Sequence, residues 1–258
     1  MTYEFDGRKY EKASAHQKEW GGRLISDLKL RGNETVLDLG CGDGALTAEI
    51  AHIVPRGMVI GIDASESMIE TARKHSEENL KFVIKDINAL DFEAEFDLVF
   101  SNAALHWIKD YSALFINVFR SLRDGGMVRF NFAAEGNCSH FLKVVHRAIK
   151  RRRYTKYFAD FDWPWFMPDV KKYEKLVRQF PFREVCVWAE NTDHFFADTD
   201  TMIRWVEQPS LVPFLQKVDE PDKQAFRDFV IEQMVEDTLR PDGRCFETFR
   251  RVNVFAVK

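Results

Sequence analysis

The chain has no long hydrophobic run. No window approaches the roughly 18 consecutive apolar residues that crossing a bilayer requires, which argues against a membrane-spanning helix. The start, Met1-Thr2-Tyr3-Glu4-Phe5-Asp6, is acidic and lacks an apolar signal core, so a cytoplasmic protein is expected. An excess of one charge is also missing. There are 37 basic and 41 acidic residues, a net charge of −4, which gives no whole-chain pull toward nucleic acid or an anionic membrane. Cysteine is scarce. The four present (Cys41, Cys138, Cys186, Cys245) are widely scattered and show no CxxC spacing, which argues against a zinc site or a disulfide framework. Small buried hydrophobes are the expectation for them. No repeat or low-complexity segment stands out. What is present is apolar material, 45% of 258 residues, enough for the core of one large domain.

From about Gln17 to Phe132 the pattern alternates between helix and strand. The spacing predicts a helix over Lys18 to Leu30, through Trp20, Leu24, Ile25 and Leu28. Strands are expected at Thr35 to Leu39, Met58 to Ile62, Lys81 to Ile84, Phe96 to Ser101 and Met127 to Phe132, the last after the turn Asp124-Gly125-Gly126. Helices are expected at Ala45 to Ile53, Ser67 to His75 and Tyr111 to Leu122. Strands separated by helices of this length imply βαβ units, a parallel sheet and helices on both faces. After Ala133 the pattern changes. Residues 137–152 and 170–180 read as helices, 154–168 are dense in aromatics and proline, and 199–238 are mostly helical with breaks at Pro209, Pro213 and Pro221. Arg183 to Trp188 and residues 246–257 read as two late strands that complete the sheet. The helical excursions between them are expected to form a cap over its ligand edge.

Val36-Leu37-Asp38-Leu39-Gly40-Cys41-Gly42-Asp43-Gly44 is a strand running through a GxGxG turn into a helix. Glycine lets the backbone approach a ligand closely and adopt positive φ, and nucleotide-like ligands bind at the carboxyl ends of such strands. The turn alone is a weak signal, because tight turns need glycine anyway. The next strand, Val59-Ile60-Gly61-Ile62-Asp63, ends in a carboxylate about 20 residues on, which can accept both hydroxyls of a ribose or cap the helix before Ser65. Lys81-Phe82-Val83-Ile84-Lys85-Asp86-Ile87 places a third carboxylate after the third strand, where it can accept from the exocyclic amine of adenine. Met68, on the helix after Asp63, can pack on a purine face or simply be core.

In order and spacing, these three elements resemble the class I S-adenosylmethionine-dependent methyltransferase family. The resemblance implies an α/β fold, Rossmann-like and doubly wound. Its sheet is mostly parallel and seven-stranded, with helices on both faces and a helical cap from C-terminal insertions. It implies a single domain over 1–258, with an N-terminal helical lid (1–34), a cofactor-binding core (35–132), and the last strands with cap insertions (133–258). It also implies S-adenosyl-L-methionine as cofactor, leaving S-adenosyl-L-homocysteine, held by Asp38, Gly40, Cys41, Gly42, Asp63, Ala64, Met68, Asp86, Ile87, Asn102 and Ala103. A nicotinamide dehydrogenase would usually show GxGxxG, whereas here the third glycine comes one position early.

The fourth strand runs into Ser101-Asn102-Ala103-Ala104-Leu105-His106-Trp107-Ile108, an end that faces the methyl group in this family. The Asn/Asp-Pro-Pro-Tyr of base-amine methyltransferases is missing. The segment resembles instead the small-molecule carboxyl methyltransferases, in particular the trans-aconitate group. Tyr10, Ser14 and Gln17 resemble that group's N-terminal segment, Met202-Ile203-Arg204-Trp205-Val206 one of its helices, and Phe249-Arg250-Arg251-Val252-Asn253-Val254-Phe255 its closing strand.

A carboxylate nucleophile is ionised at neutral pH and needs no general base, so positioning and desolvation are the expected contributions, with no metal or catalytic triad. Trp107 is the candidate substrate-side wall, or core packing. His106 can orient a substrate oxygen or act as a base, or be structural. Gln17 can donate an amide hydrogen bond to the substrate or contact the cofactor, or be an exposed helix residue. Arg251 can pair bidentately with a carboxylate, or be an exposed strand charge. Lys150-Arg151-Arg152-Arg153-Tyr154-Thr155-Lys156-Tyr157 can contact RNA phosphates and stack bases, guide an acidic small molecule, or be a solvated helix end. The expected partner is a small acidic molecule rather than nucleic acid or a membrane. The oligomeric state is left open. An RNA methyltransferase and a cofactor-binding protein without transferase activity are the alternatives.

Overall fold

The computed structural model describes residues 5–7, 15–75 and 77–258, apart from the side chains of residues 15–17 and 209. Tyr10 and Ser14 lie outside the described residues. Gln17 has its backbone in the first helix, but its side chain lies outside them too.

The elements through the first half are α1 (Ala15–Ser26), β1 (Thr35–Leu39), α2 (Ala45–Ile53), β2 (Met58–Asp63), α3 (Glu66–Ala72), β3 (Leu80–Ile84), β4 (Phe96–Asn102), α4 (Tyr111–Ser121) and β5 (Leu122–Ala133). After them come α5 (Ser139–Ile149), α6 (Val170–Val177), β6 (Glu184–Asn191), β7 (His194–Phe196), α7 (Thr199–Trp205), α8 (Val212–Leu215), α9 (Glu220–Thr238), β8 (Cys245–Glu247) and β9 (Arg250–Val257). The main sheet has seven strands in the order β3-β2-β1-β4-β5-β9-β6. β1 is parallel to β2 and β4, and β9 runs antiparallel to β5. β1 is buried almost throughout because strands flank it and helices cover both faces, so it has no solvent side. On one face, Leu24 and Ile25 of α1 and Ile50 of α2 pack with Val36, Val59, Leu98 and Phe100. On the other, Leu114 and Phe115 of α4 and Tyr173 of α6 pack with Leu37, Val99, Val128 and Phe130. The chain steps outward from β1 to β2 and β3, then returns to β4 on the opposite side of β1. The carboxyl ends of β1 and β4 therefore diverge, the place where open α/β sheets bind ligands.

The expected turn at Asp124-Gly125-Gly126 is a bulge inside a longer strand. β5 already pairs at Leu122 with Phe96, and pairing resumes at Met127 with Leu98 after a register shift. The single last strand expected over 246–257 is two strands in different sheets. Cys245–Glu247 pairs with β7, a strand the pattern did not reveal, and only Arg250–Val257 joins the main sheet. A break of two residues reverses no hydrophobic pattern, so the switch between sheets left no trace in the sequence.

The described chain forms two compact units. One comprises residues through Glu135 with Trp165–Glu190 and Arg251–Lys258; the other comprises Gly136–Pro164 and Asn191–Arg250. The second unit has its own core, with Phe141, Trp205, Phe214 and Phe226 fully buried and α5 packed on α9. Pro213 and Pro221 lie in the first turns of α8 and α9, where a missing N–H costs nothing, and Pro209 lies in a π-helical turn over Val206–Ser210. No described helix is long and apolar enough to cross a membrane.

Two of the cysteines depart from the expected burial. Cys41 and Cys245 are buried, but Cys138 is partly exposed and Cys186 is exposed. Cys186 belongs to β6, the strand at the sheet's edge, whose side chains are largely open to solvent.

Candidate functional site

Gly40 and Gly42 adopt positive φ, 72° and 56°. Their turn is stitched to the neighbouring strand by hydrogen bonds from the Gly40 and Cys41 amides to the Ile62 carbonyl, at 2.8 and 2.9 Å. A Cβ on Gly40 would lie 2.3 Å from the Cβ of Ala104, so the absence of a side chain lets the turn touch the segment after β4. Asp63 holds the arrangement from below. Its Oδ2 accepts from the Gly42 amide at 3.0 Å and its Oδ1 from the Ser65 amide at 2.9 Å. It is not the cap of α3, as one reading of the sequence had it. That role belongs to Ser65, whose hydroxyl accepts from the Met68 amide.

Asp38 is 2% exposed and accepts from the Thr47 hydroxyl at 2.7 Å. Burial pushes its pKa up to about 7, against the Thr47 hydrogen bond, and the charge of Asp63 adds to the rise. A buried carboxylate poised at that value takes its charge readily when a cation arrives. An open cavity lies over this turn, lined by Asp38, Gly40, Cys41, Gly42, Asn102 and Ala103 among the expected residues. Asp43 of the glycine turn also lines it, and so do Lys18, Leu46 and Phe100, which were not anticipated. Lys18 reaches Asp43 in an ion pair of 2.6 Å. The signal that could have found it is Gly21-Gly22 inside a helix, a pair of poor helix formers. A Cβ on Gly21 would sit 2.2 Å from Leu46, so the missing side chain lets α1 lie close on α2.

The remaining expected residues are placed more variously. Asp86 is exposed after β3, where its Oδ1 accepts from the amide and the side chain of Asn88, both at 2.8 Å. The amide of Lys85 binds the Asp63 carbonyl at 2.9 Å, which sets Asp86 beside the end of β2. Ala64 lies half-buried in the turn before Ser65. Met68 and Ile87 are buried, Ile87 within the main core.

At the end of β4, Ala103 takes φ 58°, an uncommon conformation for a residue with a side chain, and its amide binds the Asn131 carbonyl at 2.7 Å. Trp107 is half-buried in an aromatic cluster, its ring centroid 5.5 Å from Trp165 and 5.6 Å from Phe5. The His106 carbonyl accepts from the Phe166 amide at 2.8 Å. Burial first, and then the positive charge of Arg251, lower the His106 pKa to about 3, so its imidazole is neutral at physiological pH and a weak base. Arg251 is 3% exposed, not an exposed strand charge. It is held because β9 lies between two strands of the sheet. In the second unit, Arg153, Lys156 and Tyr157 of the basic cluster converge on Asp222, and Arg151 lies over the Phe229 ring.

Residues 30–161 match the methyltransferase domain family. A trans-aconitate 2-methyltransferase of Methylobacterium radiotolerans is 29% identical over 91% of each chain. An uncharacterized methyltransferase of Schizosaccharomyces pombe is 30% identical over 91% of this chain and 90% of its own. Among solved structures, the YcgJ protein of Bacillus subtilis superposes with a TM-score of 0.63, at 16% identity, over 93% of this chain and 98% of its own. A phosphoethanolamine N-methyltransferase of Haemonchus contortus, solved with S-adenosyl-L-methionine, superposes with a TM-score of 0.62, at 19% identity, over 98% of this chain and 56% of its own. At such identities the structural likeness speaks for the fold alone. The family match and the related sequences add the chemistry, and the chain belongs to the class I, S-adenosylmethionine-dependent methyltransferases.

Proposed function

We propose that the protein methylates a carboxylate oxygen of a small organic acid, of the trans-aconitate type. The observation that carries this reading is the similarity over most of the chain to trans-aconitate 2-methyltransferases, and the state of His106 agrees with it. The imidazole at the end of β4 is neutral with a pKa of about 3, so it is poorly suited to take a proton from a hydroxyl or an ammonium acceptor. A carboxylate arrives already ionised and asks for no base. When bound, S-adenosylmethionine supplies a methyl group activated by a positive sulfur. Transfer of that methyl group to an oxygen of the acid would leave a methyl ester and S-adenosylhomocysteine.

The chain's own residues then have binding and positioning to do. Asp38 would hold the positive end of the cofactor, with Gly40, Cys41 and Gly42 giving close backbone approach; Lys18 and Asp43 border the same cavity. Asp63 and Asp86 would hold the ribose and adenine, Asn102 and Ala103 would border the methyl group, and Trp107, in ring contact with Trp165, would wall off the acceptor. The trans-aconitate 2-methyltransferases of Methylobacterium radiotolerans and Deinococcus radiodurans, each similar over most of its length, support the acid reading. The basic cluster does not favour RNA, because Arg153 and Lys156 are engaged by Asp222.

The test is to incubate the protein with S-adenosylmethionine carrying a labelled methyl group, offering trans-aconitate, other small acids and bulk tRNA. Label recovered as an ester, released as methanol by mild alkali, is expected. Label recovered only on nitrogen or on RNA would sink the reading.

A further inference from the structure

The cofactor ends in an amino acid, so its tail carries a carboxylate as well as the ammonium and the sulfonium. Asp38 answers the positive groups. Of the described residues that line the cavity over the glycine turn, Lys18 is the one cation, beside the carboxylates of Asp38 and Asp43. A cavity lined by carboxylates alone would attract the positive groups of the tail and repel the negative one.

The packing of α1 puts Lys18 there. Gly21 and Gly22 follow it by three and four residues, so all three share one helix face. A Cβ on Gly21 would lie 2.2 Å from Leu46, so this face comes down on the first turn of α2, and Leu46 lines the same cavity. The ammonium is then held in place. Asp43, 6% exposed, meets Lys18 Nζ through Oδ2 at 2.6 Å and accepts from the Ala45 amide through Oδ1 at 3.3 Å. The carboxylate is anchored at the start of α2, so the pair draws the ammonium toward the turn and limits its rotamers. An ammonium has three N–H donors, and one oxygen of Asp43 takes one of them. Lys18 can therefore receive a second carboxylate while keeping the first. Its side chain is 30% exposed, so a ligand in the cavity can reach it.

We propose that Lys18, aimed by Asp43, is the subsite for the carboxylate of the cofactor's amino-acid end, and that it sets a preference for ligands whose amino acid is intact. This rests on the placing of that end over the glycine turn, with Asp38 on its ammonium. The tail is then gripped at both charges of one carbon atom. Two such contacts stop the tail from swinging about its bonds, and so fix where the sulfur and its methyl group lie.

Calorimetry at pH 7.5 compares S-adenosylhomocysteine with its decarboxylated analogue, which keeps the adenine, ribose, thioether and amine. The wild type should bind S-adenosylhomocysteine more tightly. Lys18→Met should lower that affinity roughly 5- to 30-fold, the lower part of the range for a charge-assisted contact because Lys18 is partly exposed. It should not lower affinity for the analogue, because loss of a cation leaves the cavity more attractive to an amine. Lys18→Arg keeps the charge and should keep most of the preference. An equal fall for both ligands would mark Lys18 as a tie between α1 and α2 and overturn the subsite, as would unchanged affinity for both. If Lys18→Met does not fold, Lys18→Gln, of similar length and uncharged, takes its place in the same comparison. Asp38→Asn should weaken both ligands, since both keep the amine. If it does so while loss of the lysine weakens neither, only the carboxylate subsite falls. If neither variant alters binding, the placing of the tail falls with it.

Discussion

Cofactor affinity should rise with pH through the neutral range, and Asp38 should be the cause. Its carboxyl, 2% exposed, has a pKa of about 7 instead of the ordinary 3.8 because burial penalises the charge and Asp63 repels it. The sulfonium and ammonium of the cofactor favour the ionised form, so tight binding selects molecules in which Asp38 has lost its proton. With a pKa of 7, about one tenth of the molecules are ionised at pH 6 and about three quarters at pH 7.5, so the apparent affinity should rise about eightfold across that window. The window stops there because an α-amino group itself begins to lose its proton near pH 7.7–8.0. Calorimetric titration at four pH values, on the wild type and on Asp38→Asn, reads the effect. The variant should bind roughly 10- to 100-fold more weakly at pH 7.5, the scale of a charge-assisted contact, and its affinity should not rise with pH. A flat wild-type profile, or the same slope in Asp38→Asn, would refute the reasoning. The same group makes a statement about folding without ligand. The folded state holds the Asp38 proton more tightly than the unfolded chain, so this group's contribution to stability falls as pH rises from about 4 to about 7. Asp38→Asn keeps an oxygen to accept from Thr47 and should therefore unfold at a higher temperature than the wild type at pH 8.

Gly40→Ala should destabilise the fold by about 1–3 kcal/mol, because its Cβ would collide with Ala104 and its φ is positive. Adding Ala104→Gly should recover part of the loss in thermal unfolding, and strictly additive effects would speak against that contact. In the second unit, buried Glu247 accepts from the His140 and Phe141 amides at the start of α5 and from His140 Nδ1 at 3.0 Å. The hydrogen bond to Glu247, opposed by partial burial, raises the His140 pKa. The stability this pair contributes should be complete below about pH 6.5 and disappear as pH climbs through the raised value. The Tm difference between wild type and His140→Gln should accordingly shrink from pH 6 to pH 8.5. A constant difference would show that the charge plays no part.

The chain of βαβ units, the glycine turn and the carboxylates after three successive strands were set by local pattern. Continuous apolar runs mark buried parallel strands, and the turn at Gly40 needs a residue without a Cβ wherever the rest of the chain lies. Asp38, Gly40, Gly42, Asn102 and Ala103 could be named for that reason, since strand order alone brings the ends of β1 and β4 to one cavity. Lys18 and Leu46 were not named, because they reach it through the close approach of α1 to α2 at Gly21, whose trace in the sequence is only a glycine pair inside a helix. The division of 245–257 between two sheets, and the burial of Arg251 beside His106, depend on which strand β9 meets. A strand's charge pattern does not say whether it will lie at an edge or between neighbours. Arg251 reads in sequence like any strand arginine. Only the sheet order, with β9 inserted between β5 and β6, takes its charge out of water.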